Sequence, residues 1–151
     1  MQPQQPDHHD ADLLLRLYDL RREEKLRKAR DWFMTELQAD SLEDLQKRVP
    51  MGTEENTYFR MVISYWEMAA SLLNHGLIHE DLFFENNGEF WAVWAKVEKL
   101  VPEVRKTWKN PMAYKNLEDA AKKYEKWTEK HAPEALAFRR EFMQKLPAKK
   151  A

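Results

Sequence analysis

The segment from Tyr58 to His75 constrains this chain more than any other stretch. Wound at 3.6 residues per turn, it gathers Arg60, Ser64, Glu67, Ser71 and Asn74 into an arc of about 100°, with His75 at its rim. The remaining arc, roughly 260°, is apolar, whereas an ordinary surface helix needs an apolar stripe only about 100° wide. Such a helix requires neighbours on nearly every side, whether other helices or a partner subunit. Its ends are equally well marked. Thr53 is a good N-cap, Glu54 and Glu55 place negative charge on the positive end of the helix dipole, and Gly76 stands where a left-handed residue closes a helix.

The neighbours are themselves helical. Only three glycines occur in 151 residues, and short β-branched runs bounded by turns are lacking. Leu15, Tyr18, Leu26, Ala29, Phe33 and Leu37 recur with helical spacing and predict one helix from Asp10 or Asp12 to about Gln38, its stripe interrupted only by Arg22. Ser41 followed by Asp44 resembles a capping box and opens a short helix that stops before Pro50. A short helix over Glu80 to Glu85 leads to an Asn86-Asn87-Gly88 turn. From Glu89 to Val101 another amphipathic helix puts Phe90, Val93, Trp94, Val97, Leu100 and Val101 on one side, with Lys96 and Lys99 opposite. Pro102 kinks it or starts a continuation through Trp108. Asn110 and Pro111 fit an N-cap with proline at the first helical position, opening a helix that aligns Ala113, Leu117, Ala120, Tyr124, Trp127 and His131. The last helix spans Pro133 to Leu146. The expected architecture is an all-α, single-domain bundle of five to seven helices over residues 11–147, built around the helix near 54–75. A loose tail at 1–10 and a basic tail at 148–151 flank it.

Composition removes several function classes. The absence of cysteine excludes structural disulfides, thiolate metal sites and a cysteine nucleophile, and it agrees with a cytoplasmic location. With 25 basic against 26 acidic residues, no long-range field steers the chain toward polyanions, so nucleic acid is not an expected partner. The longest apolar stretch is interrupted by Arg60 and Glu67 and falls short of the ~20 residues that a membrane span needs. The N-terminus lacks the basic end and apolar run of a secretory signal.

The candidate sites are few. The stripe of Arg60, Ser64, Glu67 and Ser71 either reaches solvent or faces a partner or pocket. In a buried setting Arg60 and Glu67 would need pairing, which a two-fold axis could supply reciprocally. Phe83, Phe84, Phe90, Trp91 and Trp94 are core filling, or else part of an interface or of an apolar pocket between the central helix and the Phe90-to-Val101 helix. His75, His79 and Glu80 form a weak metal-ligand set, because Gly76 should break the helix between the two histidines. His8-His9-Asp10 lies in the expected tail, and His131 lies on an apolar stripe. No phosphate loop, nucleophile elbow or HExxH motif is present, so no catalytic residue and no cofactor are assigned.

The runs Leu17-Tyr18-Asp19-Leu20-Arg21-Arg22, Arg30-Asp31-Trp32-Phe33, Gly52-Thr53-Glu54-Glu55-Asn56 and Tyr58-Phe59-Arg60-Met61 resemble a family of small uncharacterised bacterial helical proteins. Ser64-Tyr65-Trp66-Glu67 and Leu82-Phe83-Phe84-Glu85 extend the resemblance, which covers roughly residues 13–100. It is similar to a domain-of-unknown-function family and implies no substrate, cofactor or catalytic residue. The functional expectation is therefore a protein-binding or self-assembly module, a homo-oligomer such as a dimer. A binder of a small apolar ligand is the second reading, and an enzyme using Glu67 with His75 or His79 as acid–base groups is the third.

Overall fold

In the computed structural model, residues 4–145 are described, and the basic C-terminal tail lies outside them. The central helix, α4 (Glu54–Asn74), is where the sequence places it. The Thr53 hydroxyl accepts from the Asn56 amide at its start. At its end Gly76 is left-handed, with φ +73°, and the amides of Gly76 and Leu77 close back on the carbonyls of Leu73 and Leu72. Phe59, Val62, Ile63, Tyr65, Trp66, Ala69, Ala70 and Leu73 are buried along its length. α2 (Glu24–Thr35) packs against it, and α8 (Lys115–His131) packs against it as well. α6 (Glu89–Val97) fills in against α8 and α2. The others are α1 (His8–Arg21), α3 (Leu42–Arg48), α5 (Glu80–Asn86), α7 (Val101–Thr107) and α9 (Ala135–Lys145), the last lying on α8. Among the described residues there is no strand, and none of the helices is long and apolar enough to cross a membrane.

The class is all-α as expected, but the described residues hold nine α-helices rather than five to seven, because two predicted helices are each broken. The first break falls at Arg22, the residue that interrupts the apolar stripe. There Glu23 leaves helical geometry (ψ 138°) and turns its carboxylate onto the amides of Lys25 and Leu26, capping α2. The break also exposes the Arg21 carbonyl, which accepts from Arg30 Nη1, while the rest of the Arg30 guanidinium grips Glu89 of α6 at 2.7–3.2 Å. The second break separates α6 from α7 through a 3-10 turn at Glu98–Leu100, where Pro102 removes a backbone donor. α1 begins at His8 rather than at Asp10 or Asp12, inside the segment expected to be loose. Asp7 caps it, and Asp10 closes a capping box while also accepting from the His79 amide at 2.8 Å.

Lys96 departs from its predicted outward position. It lies half-buried, and its Nζ donates to the carbonyls of Phe33 and Met34 at 2.8 and 3.0 Å, closing the C-terminal end of α2. Burial pulls its pKa from 10.5 down to about 8. A folded pKa below the free value means that the unfolded chain binds the extra proton between about pH 8 and 10.5. Stability from this position is therefore penalised fully below pH 8 and recovers as pH rises through that window. Relative to Lys96→Met, the parent chain should gain about 2 kcal/mol of unfolding free energy from pH 8 to 10.5. Paired urea titrations at several pH values measure this; a difference that stays flat contradicts it.

Candidate functional site

A groove of about 1110 Å³ opens along one side of α4. Its floor is the polar stripe of that helix, where Asn56, Arg60, Ser64 and Glu67 succeed one another at the spacing of a single face. From Asn56 to Glu67 the floor runs roughly 16 Å at 1.5 Å per residue. Leu42, Leu45 and Val49, from α3 and the turn after it, make one apolar wall, and Trp108 and Tyr114, from the connection between α7 and α8, make the other. Phe59, Met61 and Ile63 of α4 contribute apolar surface as well.

The two charged groups of the floor differ in how they are held. Glu67 accepts from the amides of Asn116 and Leu117 at 3.0 and 2.8 Å, the second and third residues of α8. These are the amides that an N-cap side chain ordinarily serves. α8 has no such side chain of its own, because its N-cap position is Tyr114, in left-handed geometry at φ 58° and ψ 22°. The α8 dipole offsets the Glu67 charge. Arg60 is exposed, with its Nε on Asn56 Oδ1 at 3.1 Å, and it forms no ion pair among the described residues.

Tyr114 lies edge-on to Trp108, with ring centroids 6.3 Å apart. Burial, aided by the neighbouring Glu67 carboxylate, pushes its phenol up to about 12, so it stays protonated and able to donate at neutral pH. The connection that carries both rings is fixed at each end. Lys109 is a second left-handed residue (φ 54°), closing α7 in the role glycine usually fills, and Arg105 Nε donates to the Ala113 carbonyl. Asn110 does not start the helix predicted at Pro111; its carboxamide oxygen accepts from the Met112 amide in a turn, and α8 begins only at Lys115.

The other sequence candidates lie elsewhere. Ser71 is beyond the groove, beside His75, whose Nδ1 bonds the Ser71 carbonyl at 2.8 Å. Phe83, Phe84, Phe90, Trp91 and Trp94 are all 5% exposed or less. Phe90 meets Trp66, Phe83, Phe84 and Tyr124 at centroid distances of 5.2–6.3 Å, so rings occupy the space between α4 and α6. Trp91 is covered by Arg139 and Arg140 of α9, each 4.9 Å from its ring. His79 caps α5 by accepting from the Leu82 amide, and Glu80 is exposed in the first turn of that helix. Among the described residues no three His, Asp or Glu side chains converge as a metal site requires.

A single family model accounts for residues 6–127, most of the chain, under the description "Domain of unknown function (DUF4760)". The chain belongs to this family. The DUF4760 region takes in every residue of the groove, including Trp108 and Tyr114, and stops inside α8, leaving α9 outside it. No curated protein and no solved structure matches the chain. In this DUF4760 member the floor residues Arg60, Ser64 and Glu67 are the ones that helical periodicity puts on one stripe, whereas Trp108 and Tyr114 carry no such periodic signal. The one available signal for them is a pair of aromatics flanking the Lys-Asn-Pro-Met-Ala connection.

Proposed function

We propose that this chain is a binding module whose site is the groove beside α4, and that its ligand is a small, largely apolar molecule. The observation that carries this reading is the groove itself. Its volume lies just above the ~300–1,000 Å³ range typical of ligand sites, and mostly apolar walls flank a few fixed polar groups. One wall is held by two left-handed non-glycine residues, a costly backbone that persists where surrounding structure enforces it and that clusters at functional positions.

Ser64 is exposed on the groove floor, so Ser64→Trp can fill the groove without disturbing the core. Binding of the neutral dye Nile red, followed by fluorescence, should weaken at least about tenfold in this variant, while its unfolding free energy stays within about 0.5 kcal/mol of the parent. Undiminished dye binding would refute the groove as the site.

A second reading, self-association or docking of another protein, is favoured by exposed apolar side chains along the same connection and rim. Met51 is 89% exposed, Met112 64% and Trp108 53%. Native mass spectrometry of the purified chain separates the two. A retained small mass on a monomer supports the ligand reading, and a dimer that dissociates on Met112→Glu supports the other.

A further inference from the structure

The charge layout of the groove points to a ligand class, an inference that rests on the groove being the binding site. Among the described residues its two ionised side chains, Arg60 and Glu67, are both on the floor, about two helical turns apart. The Glu67 charge is met by two α8 amides, whereas Arg60 spends only Nε, on a neutral carboxamide, and keeps the rest of its guanidinium fork for a guest. The groove thus presents a cation at the Asn56 end and a carboxylate beside a protonated phenol at the Tyr114 end, with apolar walls between.

We propose that the groove takes an elongated, singly charged anionic amphiphile, its carboxylate head on Arg60 and its apolar body running toward Tyr114. A single guanidinium matches one carboxylate through two parallel N–H···O bonds, and among the described residues no second cation lines the groove to balance a dianionic head. Glu67 sets the direction, because an anionic head placed at its end would meet a like charge. The neutral phenol of Tyr114 tolerates an apolar terminus and can donate to an oxygen there.

The full chain is titrated with dodecanoate, dodecanol and dodecyltrimethylammonium by displacement of Nile red, the two ions below their critical micelle concentrations and the alcohol below its solubility limit. Dodecanoate should displace the dye at about tenfold lower concentration than dodecanol, with the ammonium compound weakest. The gap should narrow as salt is raised, since Arg60 is exposed. Arg60→Gln should weaken dodecanoate about tenfold and dodecanol much less, and Arg60→Lys should restore part of the loss. If the three compounds displace equally, or if Arg60→Gln leaves the gap intact, the ligand class is wrong and the groove reading survives. If the parent chain does not bind Nile red at all, both fall.

Discussion

Glu67→Ala is expected to destabilise the chain by about 3 kcal/mol, more than an ordinary helix cap is worth. A cap removed from a surface helix costs about 0.5–2 kcal/mol. Here the acceptor is a carboxylate serving two amides at once, and charge-assisted bonds of this kind are roughly twice as strong as neutral ones. Nothing local can replace it. The Tyr114 side chain makes no cap bond to the Asn116 and Leu117 amides, and its left-handed backbone, itself costly, holds α8 at the position where Glu67 reaches it. Glu67→Gln keeps one acceptor oxygen and should lose about half as much. Urea titration gives the totals, and hydrogen exchange should locate the loss in the first turn of α8. Because the same residues hold one wall of the groove, Nile red affinity should fall with Glu67→Ala. A loss below about 0.5 kcal/mol would mean that α8 is held by packing alone.

That contact also marks how far the sequence could be read. The ends of α4 were legible because their causes are local: a threonine three residues before the amide it caps, and a glycine free to adopt positive φ. The break between α1 and α2 was half legible. Arg22 signalled a fault in the stripe, but Glu23 is an unusual cap, and what holds the junction, Arg30 on Glu89, spans 59 positions. Lys96 was misplaced for a similar reason: a lysine opposite an apolar face normally faces water, and only the packing of α6 on α2 makes two open carbonyls its partners. In the groove, periodicity gathers Arg60, Ser64 and Glu67 into one stripe but leaves open whether solvent, a partner or a pocket meets it. What stands opposite includes Trp108 and Tyr114, about 40 to 55 positions away, on a connection whose two left-handed residues are a lysine and a tyrosine that propensity would not choose. Local rules read elements; the site depends on where non-local contacts bring them.

Phe90→Ala should cost about 4 kcal/mol, more than loss of the Glu67 cap. The cost of a large-to-small change in a core depends on whether the neighbours can collapse into the space. Around Phe90 they cannot readily do so. Trp66 comes from α4, Phe83 and Phe84 from α5 and Tyr124 from α8, and these rings are fixed by their own helices and by one another. Phe90 is fully buried, so its replacement removes an entire ring from close-packed surroundings together with its edge-on contact to Tyr124. Against a total stability of roughly 5–15 kcal/mol for a domain, such a loss should leave a measurable unfolded population at physiological temperature. Phe84→Leu, which keeps most of the volume, should cost about 1 kcal/mol. The pair separates a core cluster from a docking surface: residues that pave a surface lose little stability on truncation and change association instead. Below the melting transition, folded Phe90→Ala should bind Nile red as the parent does, since no part of that ring reaches the groove. A loss under about 1.5 kcal/mol, or a change in oligomeric state at unchanged stability, would show that these aromatics face a partner rather than one another.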